Sequence, residues 1–504
     1  MVFNSYIFIL AFLPLVVSGY FFVNKVRNKR CGQAGLVWLL FTSFVFFSYD
    51  DPEFLVLLLA SIGVNYTLGM LMTRDKNSCA QRRNLQKAML ILGILLNLAP
   101  LLYCKYSNFF LNSLEKYFEA DWEVDVGLPL GISFFTFMQI AYLVDCYREE
   151  KGFDYSIIEY ATYVAFFPKI TMGPIVLHSE VMPQLRDDTK KTVNYSNLSQ
   201  GLYVFVLGLA KKVLIADVLA KFVSVGFGEV GELNSATAIM VMVSYTLQIY
   251  FDFSGYCDMA IGVSKMLNID LPYNFNSPYK AKSISEFWDR WHMTLTRFFT
   301  RYVYIPMGGS RKGKIRTYLN TLLVFLLSGL WHGANWTFVL WGLLHGIIMV
   351  LEKIVDDIGL GYKAAKGMFG KVIACVRWGV TFAVINITWI FFRAESVDMA
   401  VLYLKQIFSG GWRLVEDVID VFDKLIEIRM VKRLGLASVL DNHVNIAIWS
   451  ILALLVMSTV FMRNAQEKIN DSKYNVVRSV LTTILLVWSI ISLSDVSEFL
   501  YFNF

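Results

Sequence analysis

The chain is poor in charge, in histidine and in paired cysteine. Only 17% of its 504 residues are Asp, Glu, Lys or Arg, against about a quarter in ordinary soluble domains, which excludes a soluble enzyme. The six cysteines, Cys31, Cys79, Cys104, Cys146, Cys257 and Cys375, stand singly. With neither C-x-x-C nor metal-ligand spacing among them, they indicate neither a disulfide framework nor a zinc site. What is abundant is apolar: 56% of residues are hydrophobic and 15% aromatic, and the mean hydropathy is +0.52. Disorder and collagen are excluded, and lipid is the solvent for most of the chain. At roughly 20 apolar residues per span, the length holds about ten to fourteen membrane helices. The expected fold is therefore an all-α polytopic bundle, with residues 1–504 as one membrane-embedded domain. A net charge of +6 could suit nucleic acid. The basic residues instead sit in short clusters between apolar runs, the pattern of cytoplasmic loops, so no nucleic-acid partner is expected.

Loop charge orients the chain. Lys25, Arg27, Lys29 and Arg30 follow the first apolar run with no acid among them, placing that loop in the cytoplasm and the amino terminus outside. The run lacks a small-residue cleavage site and reads as a retained span. Arg74, Lys76, Arg82, Arg83 and Lys87 mark a second cytoplasmic loop, whereas residues 105–127, with five acids against two lysines, read as an outside loop. Arg463, Lys468, Lys473 and Arg478 precede a last apolar run and an acidic tail with Asp495 and Glu498, which puts the carboxyl terminus outside as well. Residues 128–147 and 287–307 either cross fully or re-enter. Irregular backbone at membrane depth survives only where protein or a water-filled cavity satisfies it, so these interruptions point to an internal cavity. Within 410–442, Leu414, Val415, Val418, Ile419, Phe422, Leu425 and Ile426 recur at helical spacing with acids between them. They describe an amphipathic helix lying on the membrane or on the bundle, where a partner protein could also dock.

Titratable side chains inside apolar sequence are costly and point to function first. Of five histidines, His178 and His443 read as surface or interfacial residues. His332 lies in "LLSGLWHGANWTFVLWGLLHG", where Gly329 and Gly333 thin the helix and Trp331, Trp336 and Trp341 offer flat walls. It is either a base or a structural hydrogen bond between helices, and His345, farther along the same run, reads as structural. His292 lies in a stretch, residues 290–316, that holds seven basic residues and no acid. Such a stretch belongs at a cytoplasmic mouth. There Arg290, Arg297, Arg311, Lys312 and Lys314 either meet the phosphates of an anionic ligand or anchor the bundle to anionic lipid. "GGSRKGK" nearly spells a P-loop, but Ile315 stands where Ser or Thr is required and no parallel strand can precede it. Asp252 and Asp258 flank a Ser-Gly step in "LQIYFDFSGYCDMAIG" and read as caps of broken half-helices or as cavity lining. A metal site built from Asp252, His292, His332 and His345 would lack any close ligand spacing, and no metal is expected.

Long segments in order carry a resemblance: "LPLGISFFTFMQIAYLVDCYR", "FFPKITMGPI", "GLAKKVLIADVLA", "YFDFSGYCDMAIG", "PYNFNSPYKAKSISEFWDRWHMTLTRFFTRYVYIPMGGSRKG", "SGLWHGANWTFVLWGLLHG" and "WIFFRAES". The chain resembles the bacterial membrane-bound O-acyltransferases (MBOAT), in the branch that O-acetylates alginate. The resemblance implies a helical bundle around a funnel or tunnel in the bacterial inner membrane. It further implies acetyl-CoA as donor from the cytoplasm, no resident cofactor, a polysaccharide acceptor outside, and a partner acetyltransferase resembling the SGNH hydrolases. His332 of "LWHG" matches the family's essential histidine and His292 of "RWH" its second polar position. A histidine can take the proton of an incoming hydroxyl and return it to a departing thiolate. Trp331 and Asp252 join the five basic residues as expected substrate contacts. The tail "SEFLYFNF" resembles the aromatic carboxyl-terminal signature of extracytoplasmic acyl-transfer systems, in which Tyr501 would carry the acyl group as an ester. It departs from that signature at Val496, and an aromatic interfacial anchor is the other reading.

Two other functions fit some of the residues. A transporter would use Asp252, Asp258, His292, His332 and His345 as a proton or solute path, and a partner-binding scaffold would use the amphipathic helix and the tail. Transfer of D-alanine to teichoic acid belongs to a sister branch of the same family.

Overall fold

A computed structural model describes residues 1–26, 33–73, 80–118, 127–148, 154–359, 367–470, 476–495 and 500. The regular structure among them is entirely helical. Among the described residues, seven helices are long and apolar enough to cross a membrane: Phe8–Val26, Phe54–Thr73, Arg83–Leu111, Ser235–Met266, Trp336–Asp357, Gly367–Arg393 and Val444–Phe461. Ala34–Phe47 and Val476–Ile491 are shorter apolar helices. Six of the seven bury 17–33% of their most apolar stretch within the protein, whereas Ser235–Met266 buries 83%. That helix is the central post of the bundle, and the others turn a large share of their surface to lipid.

Small residues make the post possible. Helix Tyr195–Ala210 runs antiparallel to it with Gly201 against Gly262 and Gly208 against Gly255. A Cβ on Gly208 would stand 2.4 Å from the Gly255 carbonyl oxygen, and one on Gly201 would stand 2.5 Å from that of Gly262. In lipid, where apolar surface alone does not drive helices together, such backbone-to-backbone approach is what packs them. Asn194 and Asn234 cap the two helices by accepting from the Asn197 and Thr237 amides.

Three sequence expectations change here. Asp252 and Asp258 are not caps, because Ser235–Met266 runs through the Ser-Gly step without a break. Lys105 belongs to no outside loop: helix Ala80–Phe118 continues past it, with Pro100 inside. His178 is buried rather than interfacial. Nδ1 pairs with the Tyr155 hydroxyl at 3.1 Å, and Nε2 lies 3.3 Å from Asp145, which also accepts from Arg301 and Tyr302. Residues 287–307 form short buried helices, Ile284–Trp288 and Met293–Phe299, followed by a π-turn at Thr300–Tyr304. The amphipathic segment folds as Glu416–Lys424 and Ile426–Val431, broken at Leu425. Its apolar face lies on the bundle, with Val418 and Phe422 buried.

Candidate active site

The site grows from one helical hairpin, Lys314–His332 and Trp336–Asp357. Its arms touch through glycine. A Cβ on Gly329 would meet the Phe338 carbonyl oxygen at 2.4 Å, and one on Gly342 would meet that of Phe325 at 2.4 Å. Asn335 starts the second arm by accepting from the Thr337 amide, and its side chain donates to the Glu395 carbonyl at 2.8 Å. The first arm ends on His332.

At a helix end the last carbonyls lack intrahelical donors. Here helix Ala80–Phe118 supplies them. Lys105 Nζ donates to the carbonyls of Trp331 at 2.6 Å and His332 at 3.1 Å, and the Tyr106 hydroxyl donates to that of Leu330. A cation at the negative end of a helix is doubly suited to the task. The imidazole of His332 is 3% exposed. It is walled edge-on by Trp331 at 4.7 Å, Trp341 at 5.1 Å and Phe392 at 5.1 Å between centroids.

Trp331 lies between the two histidines. It stacks on Phe137 at 5.4 Å and meets His292 edge-on at 6.1 Å. His292 occupies the left-handed region, φ +46° and ψ +49°, which costs a side chain with a Cβ roughly 1–2 kcal/mol. Asn274 holds the turn: its carbonyl accepts from the Met293 amide and its side-chain oxygen from the Thr294 hydroxyl at 2.6 Å. The result is a buried imidazole with neither ring nitrogen hydrogen-bonded to a described residue, as is also true of Trp331 Nε1 and Trp341 Nε1. Buried polar atoms in native proteins find partners, and unpaired indole groups on Trp331 and Trp341, whose rings flank His332, are the kind a substrate's polar atoms can satisfy. His345 is engaged, accepting from Trp288 Nε1 at 3.3 Å.

A cavity of about 300 Å³ lies between the 285–304 segment and the hairpin. Asp289, Tyr304 and Lys353 line it together with Trp288 and Ser328. Ser328, which lines it, stands one helical turn before His332 on the same helix.

The remaining sequence candidates are dispersed. Arg297 is held by Glu180 at 2.6 Å and by the Ile175 carbonyl. Arg290 pairs with Glu286 at 3.0 Å. Lys314 pairs loosely with Asp357 at 3.4 Å, while Arg311 and Lys312 stand exposed in the turn. Asp252 accepts from Lys212 at 2.7 Å, and the same lysine reaches Asp217 at 2.8 Å. The other oxygen of Asp252 accepts from the Leu500 amide at 3.1 Å. Tyr501, the next residue, lies outside the described residues. Among the described residues, no group of three or more His, Cys, Asp or Glu is placed to hold a metal. Sequence reasoning missed Lys105, Tyr106 and Lys212. For the last, the signal was two adjacent lysines in "GLAKKVLIA", an apolar setting that requires buried acids as partners.

Helices long and apolar enough to cross a membrane, packed around buried histidines of which His332 ends a glycine-packed hairpin, define a polytopic helical membrane protein with a polar centre. Residues 84–359 match the model of MBOAT, the membrane-bound O-acyltransferase family. The chain is 35% identical to the peptidoglycan O-acetyltransferase of Helicobacter pylori, over 100% of this chain and 98% of that one. It is 32% identical to the probable alginate O-acetylase AlgI of Pseudomonas putida, over 100% of both. It is 27% identical to the teichoic acid D-alanyltransferase of Bacillus subtilis, over 46% of this chain and 61% of that one. The chain belongs to the membrane-bound O-acyltransferase family. It is an acyltransferase and a multi-pass membrane protein, and the transporter reading is not favoured.

Proposed function

We propose that this protein, working as a single membrane-embedded unit in the bacterial inner membrane with both termini outside, takes acetyl groups from cytoplasmic acetyl-CoA. It passes them across the membrane for O-acetylation of a polysaccharide. The observation that carries the reading is the seat of His332, a buried imidazole at a helix end whose last carbonyl Lys105 holds, with a cavity lined by Ser328 one helical turn before it. The acetyl-thioester arm enters that cavity, and Arg311, Lys312 and Lys314 meet the donor phosphates outside it.

His332 removes the proton of the acceptor hydroxyl as its oxygen attacks the thioester carbonyl. The carbon–sulfur bond then breaks, and the proton passes from His332 to the departing thiolate. His292 and the Trp331 indole donate to substrate oxygen. The acceptor is Tyr501, one residue beyond the Leu500 amide held by Asp252, or a hydroxyl of an extracytoplasmic SGNH-hydrolase-like partner that acetylates the polymer. The full-length relatives are a peptidoglycan O-acetyltransferase and a probable alginate O-acetylase, which supports a polysaccharide over a teichoic acid as the final acceptor.

The test is transfer of radiolabel from acetyl-CoA to the polysaccharide fraction by vesicles containing this protein and its partner. Label is expected to reach the polymer only when acetyl-CoA is supplied on the side of the turn that carries Arg311 and Lys312. Transfer at an equal rate from either side would contradict the stated route, and retention of full transfer by Tyr501→Phe would remove Tyr501 from it.

A further inference from the structure

A second chamber, of about 520 Å³, lies away from the histidines, between the post, the 211–222 segment and helix Val444–Phe461. The mechanism does not use it. Its walls are apolar, with Leu214, Val218 and Phe222 facing Ile448, Leu452 and Leu455. It follows helix Val444–Phe461 from Ile448 to Met462, a run of about 21 Å at 1.5 Å per residue, comparable to an extended acyl chain. Its polar end differs in kind: Lys211, Arg463, Asn464 and Lys468 line it there.

The charges at that end are only partly balanced. Asp258 takes Lys211 at 2.6 Å, and Asn464 is held by Asn276 and Ser277. The Lys468 ammonium makes no side-chain hydrogen bond or close ion pair to a described residue, and among its charged neighbours Asp258 opposes the cations Lys211 and Arg478. Arg463 follows the end of the apolar helix Val444–Phe461 by two residues and Lys468 lies on the next short helix, Ala465–Asn470, where cations flanking a span meet head groups. A slot of acyl-chain length that ends in cations there matches one class of molecule in charge, length and position. We propose that this chamber binds an anionic glycerophospholipid, with one acyl chain along Val444–Phe461 and the phosphate at Lys468 and Lys211. The apolar walls alone cannot select such a lipid, because bilayer tails are equally apolar. Selection comes from the cations.

The site is one residue from the seat of the tail. Lys211 and Lys212 are consecutive in the π-helical segment Lys211–Ala216, and Lys212 pairs with the Asp252 that holds the Leu500 amide. A phosphate at Lys211 therefore bears on the segment that anchors the carboxyl terminus.

Native mass spectrometry of the full-length protein, delipidated in neutral detergent, tests the proposal with added phosphatidylglycerol or phosphatidylcholine. Phosphatidylglycerol is expected to be retained about five-fold or more over phosphatidylcholine, and Lys468→Gln should remove roughly five-fold of that preference. Leu455→Trp, which fills the chamber, should reduce retention of both. Lys371→Gln, at an exposed lysine on helix Gly367–Arg393, no residue of which lines the chamber, should change neither. Equal retention of the two lipids, or an undiminished preference in Lys468→Gln, would overturn the proposal. The readout is lipid retention, so its outcome is independent of whether the protein transfers acetyl groups.

Discussion

Lys105 is the residue whose loss separates positioning from chemistry. Its ammonium serves two carbonyls, those of Trp331 and His332. Replacing it with methionine keeps the apolar stem and removes both donors. Hydrogen bonds from a charged group contribute roughly 1.5–3 kcal/mol each, so the gross loss is about 3–6 kcal/mol. Against this stands relief from holding an ammonium away from water, itself of the order of several kcal/mol. The two nearly cancel, and the melting temperature should fall by only a few degrees. Catalysis has no such compensation. The last turn of helix Lys314–His332 is free to fray, and a displacement of about 1 Å in a catalytic group costs on the order of 100-fold. Lys105→Met should therefore lower single-turnover acetyl transfer about 100-fold in folded, monodisperse protein. Lys105→Arg, which keeps the charge, should recover part of it. Wild-type rates in Lys105→Met would refute the claim that this contact seats His332.

Three further outcomes follow from the packing. Gly342→Val places a Cβ 2.4 Å from the Phe325 carbonyl oxygen, so thermal unfolding should show a loss of at least 1–3 kcal/mol, as is roughly typical of overpacked sites, with transfer falling in parallel. Lys212→Met leaves the buried Asp217 and Asp252 without their shared cation and should cost about 3–5 kcal/mol, read as lost expression and heat stability. Lys212→Met combined with Asp252→Asn should regain part of it. At the Ser156-capped helix Ile157–Ala165, the Arg186 guanidinium holds the Glu159 carboxyl below the usual carboxylate range. Its contribution is complete above the unfolded value of about 4.3 and disappears as the pH falls through the lowered folded value. Unfolding measured from neutral to strongly acidic pH should therefore be less acid-sensitive in Glu159→Gln than in wild type.

The chemistry was more legible in the sequence than its supports. His332 and His292 stand in motifs whose residue types announce a buried polar centre, and the structure brings both against Trp331. Lys105 was misplaced because a charge at the end of an apolar run resembles the start of a loop. Only its partner, a helix end more than two hundred residues away, shows why it belongs inside. Asp252 and Asp258 read as caps for a similar reason. A Ser-Gly step suggests a break, and the lysines that make an unbroken helix tolerable lie in another segment. Arg290 and Arg297 suggested phosphate ligands within an acid-free window, but Glu286 and Glu180 reach them from outside it. Period and composition report what one segment prefers. They do not report which distant segment satisfies a buried charge.

The central claim is that His332 moves the proton in acyl transfer. The direct measurement is the single-turnover rate of label transfer from acetyl-CoA in proteoliposomes of wild type, His332→Ala and His292→Ala, each first shown to be folded. The account predicts a loss of at least 100-fold for His332→Ala, within the ~10²–10⁴-fold range of general acid–base catalysis. It predicts a smaller loss for His292→Ala. Transfer undiminished in His332→Ala would contradict it.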